Sequence, residues 1–516
     1  MKVSSYLEKI LSSRVYEAAV VTPVSRMTRL SDQMHNHILL KREDQQPVFS
    51  FKVRGAYNKI ASLSPEQQQR GVIAASAGNH AQGVALAGHK LGLQAIIVMP
   101  RATPAIKVDA VRALGAEVQL VGETFEEAAA YAREQSEMRG MAFVHPYDDP
   151  LVIAGQGTIG MELLQQVSEP MDAVFLPVGG GGLIAGVAAC LKQTRPETRI
   201  IGVEPEDSAC LHAALAAKER ITLPQVNIFA EGVATTSIGE ENFRLAQLFV
   251  DEVVTVNTDE ICAAIKDIFD DVRCIAEPSG AIALAGIKKY IEREQARDQN
   301  LVGVLSGANV DFHRLRHVSE RSEAREKSEA LLAVQIPEEP GSFLSFCEAL
   351  NHRNLTEFNY RYQPRELATI FVGVSVKKAG ENGASLCASL QKQGYHAWDL
   401  SHNDMAMDHL RHMVGGTAPD LSNERLFRFQ FPERPGALRK FLTELGARWN
   451  ISLFHYRNHG AAYGRVLCAF QVPEGEQDAF SAFLDDLGYA YWEETDNPAY
   501  PLFLAAGCFE APVAGR

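Results

Sequence analysis

No two of the eight cysteines in this 516-residue chain are spaced as Cys-x-x-Cys, and none form a paired pattern. That excludes a legible disulfide framework or zinc site and fits reduced thiols in a cytosolic protein. Long apolar runs are missing as well: no stretch approaches the ~18 residues that a membrane span requires. Residues 1–10 are interrupted by Glu8 and Lys9, so they lack a signal-peptide core. Positive charge is in deficit, with 50 Lys and Arg against 64 Asp and Glu, a net −14. The basic residues are scattered rather than clustered, which argues against nucleic acid as a main partner. The expectation is a cytoplasmic protein with neither a membrane nor a nucleic-acid partner.

What is present is ordinary globular material, 46% apolar and 22% charged, long enough for roughly three or four domains. One stretch stands out, Ser50-Phe51-Lys52-Val53-Arg54-Gly55-Ala56. Lys52 stands between an aromatic ring and an expected tight Gly turn, ahead of a helical pattern over 56–63. Desolvation there would lower its pKa and free a nucleophilic amine able to form a Schiff base with an aldehyde cofactor. A blind lysine is far more often a solvated surface residue, so the rest of the chain has to carry the case.

From Gly71 to about Ala308, short β-rich runs alternate with helical stretches. Val72–Ala74 leads to a helix over 79–91, Ala95–Val98 to one over 105–114, and Glu117–Val121 to one over 124–138. Ala173–Leu176, Ile200–Val203 and Val302–Leu305 follow. This predicts a doubly wound, mostly parallel α/β sheet with ligands at the carboxyl ends of its strands. Those ends hold the unusual residues. Ser76-Ala77-Gly78-Asn79-His80 sits between a strand and a helix, where small residues and free N–H groups suit an anion, although Asn79 also makes a good helix cap. Gly179-Gly180-Gly181-Gly182-Leu183 follows another strand, and four glycines are entropically wasteful as a mere turn but suit a phosphate nest. The Lys-Ser/Thr of a nucleoside-triphosphate loop is absent. A dinucleotide reading of Gly180, Gly182 and Ala185 with Glu204 is weak and leaves Lys52 unexplained. Ser306, in Leu305-Ser306-Gly307-Ala308-Asn309, ends a third strand, where a turn serine is the plain alternative.

The four motifs SFKVRGA, SAGNH, VGGGGL and LSGAN, in this order and spacing, resemble the fold-type II (tryptophan-synthase-β-like) pyridoxal-phosphate enzymes, and within them the threonine/serine dehydratase branch. The resemblance covers residues 15–320. It implies pyridoxal 5′-phosphate held by Lys52, Phe51 against the cofactor ring, Asn79 on the ring hydroxyl, Gly179 to Leu183 around the phosphate and Ser306 at the ring nitrogen. Ser76, Ala77, Gly78, Asn79 and His80 would take the substrate carboxylate. The freed Lys52 amine would then act as the α-proton base, and the cofactor would delocalise the carbanion while the β-hydroxyl leaves. Ser306 cannot carry the charge that an Asp would hold at the ring nitrogen, which favours elimination over a long-lived carbanion. Some serine-acting relatives bind a divalent cation through a Glu, a carbonyl four residues on and an Asp six residues on. Here Glu204 is followed by Ser208 and Cys210, and a thiol is a poor ligand for such ions, so no metal is expected.

Residues 321–328 read as a charged linker, after which an internal repeat appears. Pro337–Phe343 recurs at Pro432–Leu438, Asn354–Arg361 at Asn450–Arg457, and Gly394-Tyr395 with Trp398 at Gly488-Tyr489 with Trp492, at offsets of 95, 96 and 94 residues. Each copy reads strand, Pro-Gly turn, helix, two strands, helix, short strand. This resembles the ACT-like domains that bind amino acids, so the expected organisation is a catalytic domain over 1–320, α+β copies over 329–402 and 423–495, a connecting stretch over 403–422 with an amphipathic helix over 402–413, and a tail over 496–516. Biosynthetic members of the dehydratase branch carry two such domains. The resemblance therefore implies L-threonine (also L-serine) as substrate, 2-oxobutanoate for isoleucine synthesis as product, and a homotetramer inhibited by isoleucine with valine opposing. Phe343, Tyr360, Leu438 and Tyr456 are the candidate effector residues. The alternatives are an L-serine dehydratase or racemase of the same fold, a non-catalytic amino-acid-binding regulatory protein, and purely structural repeats.

Overall fold

The computed structural model describes residues 4–310, 315, 318, 329–351, 353–362, 366–376, 381–403, 406, 410–412, 415–416, 418, 421–432, 437–446, 448–457, 463–497, 500 and 504. The chain divides into two compact units, Met1–Ser322 and Glu323–Arg516.

In the first unit the alternating elements resolve into two sheets. A six-stranded sheet runs in the order Val24–Arg26, His37–Arg42, Asn300–Leu305, Ala173–Pro177, Arg199–Pro205, Glu252–Val256, parallel except at the antiparallel Val24–Arg26 edge. A four-stranded parallel sheet follows the order Glu117–Leu120, Ala95–Met99, Val72–Ala75, Ala142–Phe143. The central strands AIIVM and AVFLP are buried at every position. Continuous apolar runs of this kind are what helices covering both faces require. The three early helices form close to where the pattern places them, at Asn79–Leu91, Ala105–Ala113 and Phe125–Arg139. The last starts at Thr124, whose side chain accepts from Glu127 N, and stops at Gly140 in the left-handed region.

The helix Lys52–Ala61 corrects one expectation. Gly55 makes no turn. It lies inside this helix against the helix Pro150–Gln166, where a Cβ on Gly155 would come 2.7 Å from the Gly55 Cα. Glycine is required there because two helix backbones touch. The same helix is pinned by charge. Arg54, wholly buried, donates to Glu43 Oε2 at 2.7 Å and to Glu162 Oε1 at 2.5 Å, and Lys41 Nζ reaches Glu162 Oε2 at 2.5 Å. Burial of each charge is offset only because all are paired.

In the second unit the repeats build one antiparallel sheet of eight strands: His396–Asp399, Glu329–Pro337, Leu367–Ser375, Leu355–Arg361, Asn450–Arg457, Tyr463–Gln471, Glu424–Pro432, Ala490–Glu493. The copies meet at its centre, where Tyr360 lies opposite Phe454 and Phe358 opposite Tyr456. The helices Ser342–Ala349, Gly383–Gln391, Ala437–Leu445 and Gln477–Leu487 all feed one apolar cluster that includes Phe346, Leu386, Phe441 and Phe480. The element order of each copy is the expected one, although residues 433–436 lie outside the described residues. Of the helix expected over 402–413, only Ala406 and the 3-10 turn Leu410–His412 stand out as helical, and 404–405, 407–409 and 413 lie outside the described residues, as does the linker 321–328. Among the described residues no helix is long and apolar enough to cross a membrane.

Candidate active site

A cavity of about 380 Å³ opens in the first unit at the carboxyl ends of the strands, lined by Ala75, Pro177 and Ser306 at or just past three of them. All the residues singled out in the four motifs, Phe51, Lys52, Ser76 to His80, Gly179 to Leu183 and Ser306, line this one space. Local chain geometry brings them together. Phe51 N donates to Ser306 O at 3.2 Å, so the start of the Lys52 helix is tied to the end of the Asn300–Leu305 strand.

Lys52 Nζ donates to Pro146 O at 3.0 Å and lies 5.4 Å from the centroid of the Phe51 ring. Burial lowers its pKa to about 8, against the opposing pull of the Glu277 carboxylate. About a tenth of the amine is therefore neutral at pH 7, far more than for an ordinary lysine, and the neutral form is the nucleophile. His80 Nε2 sits 2.9 Å from Val144 O, which can only accept, so the ring proton belongs on Nε2. Burial, then the nearby Lys52 charge, push the His80 pKa down to about 3, and the imidazole stays neutral. Ser306 Oγ donates to Ser279 O at 3.3 Å and is buried.

Asn79 is not a cap. The helix Asn79–Leu91 has Gly78 as N-cap with no side-chain cap bond, and the Asn79 amide instead donates to Glu277 Oε1 at 2.7 Å and accepts from Asn309 Nδ2 at 2.7 Å. Glu277 is the principal residue that sequence reasoning missed. Its signal is faint: a carboxylate directly before the Pro-Ser-Gly that opens the helix Pro278–Glu294. Burial raises its pKa, while Ser279 Oγ, donating at 2.8 Å, and Asn79 oppose the rise. Lys107 and Glu231, both in the lining and also missed, form an ion pair at 2.5 Å.

The glycine loop has the shape a phosphate group needs. A Cβ on Gly180 would strike the Tyr147 ring at 2.3 Å and one on Gly179 would meet Val233 Cα at 2.8 Å. Gly181 holds φ +90° as N-cap of the helix Gly182–Thr194. The first turn of that helix offers N–H groups without intrahelical partners to the cavity wall. A buried lysine of lowered pKa, a ring-sized cavity and a glycine loop at a helix start together fit pyridoxal phosphate.

Away from the cavity, both Glu204 oxygens are engaged, accepting from Leu211 N and His212 N at 2.8 Å each, with the Cys210 thiol 3.6 Å from Oε1. Burial pushes the Glu204 pKa up to about 7. Among the described residues no cluster of three or more His, Cys, Asp or Glu is placed to hold a metal ion.

In the second unit, Phe343 and Tyr360 meet edge to face at 4.9 Å, and Tyr360 OH donates to Glu338 Oε1 at 2.6 Å. A small cavity of about 20 Å³ beside the first Pro-Gly turn is lined by Phe343 and Glu338 with Leu442, Leu445 and Trp449 of the second copy. Tyr360, Leu438 and Tyr456 are not in that lining. Trp449, missed in the sequence, lies in it because the two copies pack into one core.

Residues 15–307 match the family profile of pyridoxal-phosphate dependent enzymes, and 320–410 and 415–504 each match the C-terminal regulatory domain of threonine dehydratase. The chain is similar to a biosynthetic L-threonine dehydratase of Pasteurella multocida, 56% identical over 502 residues, covering 97% of this chain and 98% of that one. It is likewise 56% identical to a biosynthetic L-threonine dehydratase of Escherichia coli, covering 97% of each chain. Among solved structures, the processed form of threonine deaminase isoform 2 from Solanum lycopersicum superposes with a TM-score of 0.61 at 51% identity, covering 62% of this chain and 93% of that one.

Proposed function

The chain belongs to the pyridoxal-phosphate-dependent threonine dehydratases that carry paired C-terminal regulatory domains, and from that membership we propose that its cavity converts L-threonine to 2-oxobutanoate and ammonia, with Lys52 holding the cofactor and moving the α-proton. The observation that carries the residue assignments is the convergence of Lys52, the Ser76–His80 loop, the Gly179–Leu183 loop and Ser306 on one cavity. Pyridoxal phosphate, when bound, supplies the electron sink that makes the α-proton acidic.

The chain's own residues do the rest. The low pKa of Lys52 leaves a neutral amine to accept the α-proton once substrate has displaced it, a contribution of about two to four orders of magnitude. The proton then rests on Nζ, where the Glu277 carboxylate favours the cation. Ser76 to His80 receive the substrate carboxylate at the start of the helix Asn79–Leu91. His80, kept neutral by burial, braces the loop through Val144 O. The Asn79 N–H left over after Glu277 would meet the cofactor's ring oxygen, and Phe51 would pack against the ring. Ser306, a neutral hydroxyl that donates to Ser279 O, would face the ring nitrogen without supplying the negative charge that holds a proton there, which would favour elimination of the β-hydroxyl. L-serine, with the same leaving group, is the second substrate.

The second unit binds amino-acid effectors. Isoleucine inhibits and valine opposes it, at sites that draw on Phe343, Tyr360, Leu438 and Tyr456. The Phe343–Tyr360 contact beside Glu338, a carboxylate able to meet an α-ammonium, supports the first of these sites. The working form is a cytoplasmic homotetramer. An absorbance spectrum of the purified protein before and after L-threonine, with 2-oxobutanoate measured in parallel, tests the catalytic reading. A band near 400 nm, as expected for lysine-bound cofactor, should change on adding threonine while product accumulates, and a protein with no such band and no product would refute it.

A further inference from the structure

Asn242 neither lines the cavity nor belongs to any motif singled out in the sequence, yet it is wholly buried directly behind the glycine loop. Its Nδ2 donates to Gly180 O at 2.7 Å and to Tyr147 O at 3.2 Å. Gly180 O also accepts from Gly239 N at 3.2 Å. Asn242 and Gly239 belong to the start of the helix Glu240–Phe249, whose first N–H groups, on Glu240 and Glu241, donate to the Asp148 carboxylate at 2.9 and 3.1 Å. One side-chain amide therefore clamps the glycine loop and the Tyr147 loop to a common support.

The consequence follows from peptide geometry. In a trans peptide the carbonyl and the next N–H point in opposite directions. With Gly180 O drawn back toward Asn242 and Gly239, the Gly181 N–H is turned away from them. Gly180 and Gly181 line the cavity whereas Asn242 and Gly239 do not. The loop cannot hold this orientation unaided, because glycine backbones move freely between conformations. Moreover, the Asn242 Oδ1 is buried with no hydrogen-bond partner. Leaving an amide carbonyl unmatched costs free energy, so what this side chain contributes is its N–H edge.

We propose that Asn242 is a positioning residue for the anion cradle, holding the Gly180–Gly181 peptide so that its N–H faces the phosphate of the cofactor. The inference rests on the assignment of Gly179–Leu183 to the phosphate. Asn242→Asp keeps the side-chain shape but replaces the donor with an acceptor facing the two carbonyl oxygens. Apoenzyme of the parent and the variant would be titrated with pyridoxal phosphate and with pyridoxal, following fluorescence quenching, and the bound phosphate would be followed by phosphorus NMR. The expected result is a Kd for pyridoxal phosphate raised roughly tenfold or more, as loss of a buried hydrogen bond implies, a shifted phosphorus resonance and an unchanged Kd for pyridoxal. A structural role alone would weaken both ligands alike. Should Asn242→Asp not fold, Asn242→Ser, which removes the amide without adding charge, carries the same titrations. Equal weakening of both ligands, or an unchanged preference for the phosphorylated one, overturns the proposal. A parent apoenzyme that binds the two ligands equally would instead overturn the cradle assignment on which it rests.

Discussion

Asn79 donates through Nδ2 to Glu277 Oε1 at 2.7 Å, joining residues 198 positions apart in sequence across the cavity wall. On the other side of the same amide, Asn309 Nδ2 donates to Asn79 Oδ1 at 2.7 Å, and Asn309 is itself oriented by donating to Val48 O at 2.8 Å. A carboxylate can only accept and an amide NH2 can only donate, so the orientation of Asn79 is settled and one N–H remains for a ligand. Glu277 thus orients Asn79 and also sets the charge environment of Lys52.

The first prediction concerns that charge. In the apoenzyme the neutral Lys52 amine is the form that attacks the cofactor aldehyde, so the rate of cofactor capture should rise with pH and level off above about 8. Glu277 favours the ammonium form; Glu277→Gln removes the anion, the Lys52 pKa falls further, and the midpoint of the rate profile moves to lower pH. Stopped-flow growth of the 400 nm band across pH 6 to 10 measures it. A midpoint that stays in place or rises contradicts the assignment.

Lys52→Ala should abolish turnover and leave the circular-dichroism spectrum unchanged, because the side chain faces the cavity instead of filling the core. Borohydride reduction of the parent holoenzyme and peptide mapping should place the pyridoxyl label on Lys52. A label on another lysine would end its role.

Ser306→Asp puts a carboxylate where the neutral hydroxyl donates to Ser279 O. Protonation of the ring nitrogen should then be favoured, lowering the rate of 2-oxobutanoate release and raising long-wavelength absorbance during turnover. Parent-like elimination by the variant would show that the serine was assigned the wrong purpose.

For control, a chain ending after about Glu320 should keep its pyridoxal chemistry and lose its response to isoleucine. Tyr360→Ala and Tyr456→Ala should weaken the response unequally, since Tyr360 donates to Glu338 while the strand partners of the two copies differ at Asn359 and His455. A coupling of about 1–3 kcal/mol shifts threonine affinity several-fold to about a hundredfold. Isoleucine titrations of activity decide it, and an unchanged inhibition curve in the short chain moves the effector site into the first unit.

Arg54→Met should destabilise the first unit by about 3–5 kcal/mol, the usual result of removing one partner from a buried ion pair. The change leaves Glu43 with no arginine and Glu162 with Lys41 alone. Urea denaturation followed by circular dichroism measures the loss, and a loss under 1 kcal/mol would mean that water replaces the guanidinium.

What the sequence determined by itself was whatever depends on neighbours along the chain. Runs such as AIIVM and AVFLP announce buried parallel strands because alternation disappears when both faces are covered. Four consecutive glycines, a lysine after an aromatic ring, and a repeat kept in register are likewise local facts, and the loops that line the cavity and the duplicated unit were legible from them. The tertiary structure decided what depends on partners far apart. Gly55 reads as a turn until Gly155 arrives against it; Asn79 reads equally as a helix cap or a binding residue until Glu277 takes its amide. Asn242 and Trp449 carry no local signature and Glu277 only a faint one, because what they contact is set beside them by folding. Two repeats sharing one sheet through Leu355–Arg361 and Asn450–Arg457 is also a tertiary decision. Each copy's edge strand must pair its N–H and C=O groups with something, and the sequence names the strand but not the partner.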